Sequence, residues 1–179
     1  MKFTILKNKS EIKDSDNSEV YVIDADEKIA RSILESLKQK NIKKKIATFG
    51  RDNVFNRRAL ETLKINFLIS PEREFGGERE SKRKDTLKQR DSGLNHVIAK
   101  IAKDKDISMV IDIDDLSSIQ DRKQKAKRLS RIIQNIKISR RAGCKILVWS
   151  LSGEMGKKEL EAFGFSIGMS SQQVKESLS

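Results

Sequence analysis

Short apolar runs alternate along this chain with longer stretches of helical period. VYVIDA (20–25) precedes a helix expected over 27–40, KIATFG (45–50) precedes one through 56–64, and INFLIS (65–70) follows. Beyond a charged stretch the pattern resumes with a helix through 94–103, ISMVIDI (107–113), a long helix over 122–141 and KILVWSL (145–151). A helix near 157–163, the run FSIGM (165–169) and a last helix over 171–178 complete it. With FTILK (3–7) as a weaker first candidate, about seven strands are expected.

Strands that are apolar nearly throughout are covered on both faces, as parallel strands are in α/β folds. The alternation fits an open doubly wound sheet or a (β/α) barrel. A full barrel typically takes about 250 residues, so a chain of 179 holds one only in compressed or incomplete form.

Two features of the helices bear on packing. Ser92 is a plausible N-cap, and Leu94, Val97, Ile98 and Ile101 fall on one stripe of the helix that follows, leaving Asn95, His96 and Lys100 off it. In the long helix Leu129, Ile132, Ile133 and Ile136 form the apolar stripe, while Lys123, Lys127, Arg131 and Arg141 gather toward the opposite side. The segment 71–91 (PEREFGGERESKRKDTLKQRD) is charged and almost without apolar residues, so a mobile surface loop is expected there within a single domain, 1–179.

Charge narrows the function. Lys and Arg number 38 against 26 Asp and Glu, giving +12 and a pI near 9.8, a balance that points to a polyanionic partner. The apolar runs are too short to span a bilayer and the first residues lack the core of a signal peptide, so a soluble, cytoplasmic protein is expected. Cys144 and His96 are the only residues of their kinds, which excludes internal disulfides and Cys/His zinc sites.

Between Asp121 and Lys145 stand ten basic residues and one acid. A merely solvated helix face mixes signs and gains i,i+4 pairs, so this excess favours contact with phosphates. Arg90 precedes the helix at 94–103, where its side chain and the free N–H groups of the first turn could share one phosphate. Aromatic residues make up 5% of the chain, and Tyr21 and Trp149 sit in strands, so recognition of backbone and shape is expected rather than base stacking.

The competing chemistry is carboxylate-based. Asp24, Asp26, Asp112, Asp114 and Asp115 lie near the C-terminal ends of two expected strands, where a barrel enzyme could hold magnesium. Aspartates at such ends also serve as helix caps and turn residues.

The string RDSGLNHVIAKIA (90–102), preceded by INFLISP (65–71), resembles the signature of the ribonuclease P protein component 3 family of archaea and eukaryotes. The resemblance continues through ISMVIDI, RIIQNIKISRRAGCKILVWSLSGE and ELEAFGFSIGMSSQQVKESLS, and covers roughly 64–179. It implies a TIM-type (β/α) barrel, here at least one βα unit short before Lys45. Asp112 and Asp114 depart from the small or apolar residues usual in that strand, and the loop at 71–90 is longer than the family's.

The function it implies is that of a protein subunit binding the catalytic RNA that removes the 5′ leader of precursor tRNA. Magnesium would be held by RNA, and the protein would have no active site or cofactor of its own. Implied partners are that RNA, precursor tRNA and a small protein of RNA-recognition-like fold, two such pairs being able to form a heterotetramer. The RNA-contact set is then Arg90, Asn95, His96, Lys100, Lys123, Lys127, Arg131, Arg140 and Arg141. For His96, ordering the preceding loop stands equal to RNA contact. Two rival classes remain: a free-standing metal-dependent phosphoesterase barrel and a general nucleic-acid-binding protein.

Overall fold

The computed structural model describes residues 2–13, 17–74, 83–86 and 88–178. Six strands, β1 (Phe3–Leu6), β2 (Val20–Ile23), β3 (Lys45–Phe49), β4 (Phe67–Ile69), β5 (Ser108–Asp112) and β6 (Ile146–Trp149), form one sheet. Every neighbouring pair is parallel and the spatial order follows the chain from β1 to β6. A doubly wound sheet would reverse its order at a switch point; none occurs here, so that expectation is set aside for a barrel-like sheet.

Among the described residues seven α-helices cover the sheet: α1 (Glu27–Gln39), α2 (Asn53–Thr62), α3 (His96–Asp104), α4 (Ile113–Ser118), α5 (Arg122–Ala142), α6 (Lys157–Ser166) and α7 (Ser171–Leu178). Asp26 and Asp52 cap α1 and α2, accepting from the N–H groups of Ile29 and Phe55. α5 ends at Gly143, whose φ of 68° is the left-handed geometry of a helix stop.

Strand alternation sorts the apolar side chains onto two faces. Tyr21, Ile23, Ile46, Leu68, Met109, Ile111, Ile146 and Val148 join the helices in the larger core. Val20, Val22, Ala47, Phe49, Phe67, Ile69, Val110 and Trp149 fill the concave side by themselves, with Phe3 and Leu147 packed against them. Trp149 lies edge-on to Phe67 at 4.6 Å and beside Phe3 at 5.2 Å between ring centroids, so residues of β1, β4 and β6 meet inside the curled sheet. Among the described residues β1 and β6 exchange no ladder hydrogen bonds. The seam lies open as a cavity of about 330 Å3 between Lys2–Thr4, Asn17, Ser18, Leu151 and Ser152.

Two expected strands change. FSIGM is not one: Phe165 and Ser166 finish α6, and Gly168, at φ 88°, turns the chain into α7. ISMVIDI stops at Asp112, because that side chain accepts from the N–H of Asp114 and starts α4. No helix among the described residues is long and apolar enough to cross a membrane.

Candidate nucleic-acid interface

The region from β4 to α3 is built on close backbone approach. Gly93 has φ 69°, and a Cβ there would lie 1.8 Å from the Pro71 carbonyl oxygen. Gly50 meets the same residue, its notional Cβ 2.4 Å from Pro71 Cα. Fully buried Asn56 of α2 donates to the carbonyls of Arg51, Pro71 and Gly93, and its own oxygen accepts from the Arg51 N–H. One side chain thereby joins the β3–α2 turn, the exit of β4 and the approach to α3. The cap of α3 is Asn95, which accepts from the Ile98 N–H, and not Ser92, which is buried and bonds the Leu94 carbonyl. The buried face of the helix also differs from the expected stripe: Val97 is exposed, while Ala99 and Ala102 are buried with Ile98.

The described residues of the charged segment are tied down by ions in place of apolar contacts. Arg83, 6% exposed, donates to the carbonyls of Arg51, Pro71, Arg73 and Asp91 at 2.7–2.9 Å. Arg128 pairs with buried Glu72 at 3.0 Å and with Asp115 at 2.5 Å. Arg131 pairs with Glu74 and, at 2.8 Å, with Asp85. Burial would raise the Asp85 carboxyl, but hydrogen bonds from Arg131 and from the Asp91 backbone hold it below the ordinary range. The mobility expected of 71–91 concerns in part 75–82 and 87, which lie outside the described residues.

These pairs correct the orientation expected of one residue. Arg131 does not face outward; with Arg128, Asn135 and Ser139 it forms a polar column beside Ile132 and Ile136 on the buried side of α5. That column faces the carboxylates of the charged segment, a match that helical spacing within α5 could not reveal.

Other basic residues of the expected set stand on α3 and α5, which pack together. Gln134 grips the Arg90 backbone twice at 2.8 Å, accepting from its N–H and donating to its carbonyl, and donates to Ser92 Oγ at 2.9 Å. Lys127, Gln134 and Arg141 recur every seven residues and lie along one side of α5. Lys123, Lys127, Lys137 and Arg141 are exposed, as are His96 and Lys100 on α3. At the far end a Cβ on Gly143 would lie 3.2 Å from Lys103 Nζ, which brings the end of α3 to the end of α5. Beside Arg90 a cavity of about 230 Å3 opens at the starts of α2 and α3, lined by Asn53, Lys84, Arg90 and Asn95 among others.

The expected site residues thus separate by environment. His96, Lys100, Lys123, Lys127 and Arg141 are exposed and Arg90 is half-buried. Asn95 is exposed, but its oxygen is engaged by the cap. Arg140 is exposed, but its guanidinium donates to the Gly168 carbonyl at 2.6 Å and to Gln173, holding the α6–α7 turn. Sequence reasoning missed Asn56, Arg83 and Gln134, which position the surface. The neutral Gln134 midway between Lys127 and Arg141 was the one visible signal, a break in an otherwise basic stripe.

Four of the five strand-end aspartates, Asp26, Asp112, Asp114 and Asp115, are engaged locally. Asp26 caps α1; Asp114 accepts from Ser150 Oγ at 3.0 Å and from the Ser152 N–H at 2.7 Å; Asp115 pairs with Arg128 and Arg73. Asp112 is buried, and burial, then the neighbouring charges of Asp114 and Asp115, push it up to about 6. Among the described residues no three His, Cys, Asp or Glu side chains are grouped to hold a metal ion.

No family model matches this chain, and no curated protein does. Solved structures match it by fold. A chain in the cryo-EM structure of archaeal ribonuclease P with mature tRNA superposes on 99% of this chain and 78% of its own length, with a TM-score of 0.68 and 16% identity. Ochratoxinase of A. niger covers 90% of this chain at TM-score 0.59 and 12% identity. A prolidase complexed with N-methylphosphonate-L-proline covers 89% at 0.55 and 13%. This chain spans only 38% and 40% of those two enzymes, and at such identities the likeness is one of fold.

Proposed function

We propose that this protein is a component 3-like, TIM-type barrel subunit of an archaeal ribonuclease P. It binds the catalytic RNA across α3 and α5 and supplies no catalytic side chain. The observation that carries the reading is the basic surface at which Gln134 fixes Arg90 beside the α5 stripe. Support comes from the match over nearly the whole chain to a ribonuclease P structure and from the SGLNHVIAK string whose Gly93 and Asn95 have defined backbone roles.

Arg90, Lys100, Lys123, Lys127 and Arg141 contact phosphates, with His96 beside them at the start of α3. Folding a compact RNA crowds phosphates together, and cations at this surface lower that repulsion, so the active conformation is populated at lower magnesium. The magnesium ions are held by the RNA, and precursor tRNA is the substrate of the assembly. A small protein of RNA-recognition-like fold is the partner, and the complex acts in the cytoplasm. Asp26, Asp112, Asp114 and Asp115, engaged by caps, hydrogen bonds and ion pairs, act in folding.

Filter binding of the ribonuclease P RNA over a salt series tests the surface. Replacing Lys127 and Arg141 by alanine lowers affinity and makes the log–log salt slope shallower by about one for each phosphate no longer neutralised. An unchanged slope would remove α5 from the interface.

A further inference from the structure

At the end of the sheet where the strands begin, an open groove of about 540 Å3 lies between α1 and α2. Its floor is apolar, with Leu63 buried and Leu34 and Ile42 half-buried. Its rim is cationic: Lys38 in the last turn of α1, Lys43 before β3 and Lys64 after α2, all exposed. Among the described residues these three lysines form no ion pair, and Glu35 is the one carboxylate on the lining. The order α2, α3, α5 of packed helices keeps the groove apart from the α5 stripe.

Phosphates alone do not suit this groove, because an RNA backbone gains nothing from an apolar floor. A strip of apolar side chains flanked by carboxylates satisfies both features, burying its apolar face while its charges meet the rim. We infer that the α1–α2 groove docks an acidic amphipathic segment of a protein partner, its apolar side chains on Leu34, Ile42 and Leu63 and its carboxylates toward Lys38, Lys43 and Lys64. The inference uses none of the residues assigned to RNA.

The probe is a fluorescein-labelled helical peptide of about 18 residues, long enough for five turns, with leucines at 3–4-residue spacing and glutamates elsewhere. Added to the full chain, it raises fluorescence anisotropy saturably. Affinity falls at least about tenfold in Lys43→Glu/Lys64→Glu, and similarly when the peptide's leucines become serine. Both lysines are exposed, so that variant keeps its thermal midpoint, and Ile42→Ser gives an independent reading of the floor. No binding, or equal binding of the serine peptide, overturns the proposal. Competition by duplex RNA that persists in Lys127→Glu/Arg141→Glu makes the groove an RNA site and also overturns it. Lys127→Glu/Arg141→Glu leaves peptide affinity unchanged; if it leaves ribonuclease P RNA affinity unchanged too, the RNA reading fails while the groove stands.

Discussion

Phe3 on the first strand and Trp149 on the last bring their ring centroids to 5.2 Å, although β1 and β6 exchange no backbone hydrogen bonds among the described residues. Side chains, rather than a ladder, hold the two edges of the curled sheet together. Phe3→Ala removes one ring of this pair and costs about 2 kcal/mol, less than a full core deletion because Phe3 is half-buried. Trp149 is the sole tryptophan and is buried, so the same variant shifts its emission to the red as water reaches the seam. Emission and urea midpoint both unchanged would mean that the ring pair does not support the seam.

Gly93 supports the approach of Pro71 to α3. Gly93→Ala places a methyl against the Pro71 carbonyl in a left-handed backbone and destabilises by at least about 2–3 kcal/mol in urea unfolding. Gly153 is the control: its φ is 76°, but a Cβ there meets nothing within 4 Å, so Gly153→Ala costs only about 1 kcal/mol.

Arg131 and Lys127 stand one turn apart on α5, with separable effects. Arg131→Ala strands Glu74 and Asp85 and lowers stability by roughly 2–4 kcal/mol, the partly exposed carboxylates keeping it under the cost of a fully buried pair. Lys127→Ala leaves the thermal midpoint within about 1 °C and weakens RNA binding. Loss of RNA affinity in Arg131→Ala without loss of stability would return Arg131 to the interface.

Asp112 sets a pH dependence. Its folded value of about 6 lies above the unfolded value near 4, so the folded state binds the proton more tightly. Its contribution is therefore full below about pH 4 and lost as pH rises through 6, a change of about 1–3 kcal/mol. Asp112→Asn keeps an oxygen to cap α4 and flattens that part of the stability profile, raising the midpoint at pH 8 and leaving it nearly unchanged at pH 4. A profile as steep as that of the parent would assign the titration elsewhere.

Where a single element decided the outcome, the sequence was legible. The apolar runs at VYVI, KIATF, FLI, SMVI and ILVW became strands, and the helix over 122–141 lies within one residue of α5. Legibility failed where partners come from afar. The inward turn of Arg131 depends on Glu74 and Asp85, 57 and 46 residues away, and the helical start of FSIGM depends on Gly168 turning the chain into α7. Likewise the lack of apolar residues in 71–91 suggested freedom, because nothing local foretold that Arg83 would gather four carbonyls.

Cleavage of precursor tRNA by the ribonuclease P RNA with its small protein partner, with and without this chain across a magnesium titration, bears most directly on the proposed role. The chain is expected to lower the magnesium required, and Arg90→Ala and Lys127→Ala/Arg141→Ala to weaken this effect while the variants remain folded. An identical magnesium dependence with and without the chain would contradict it.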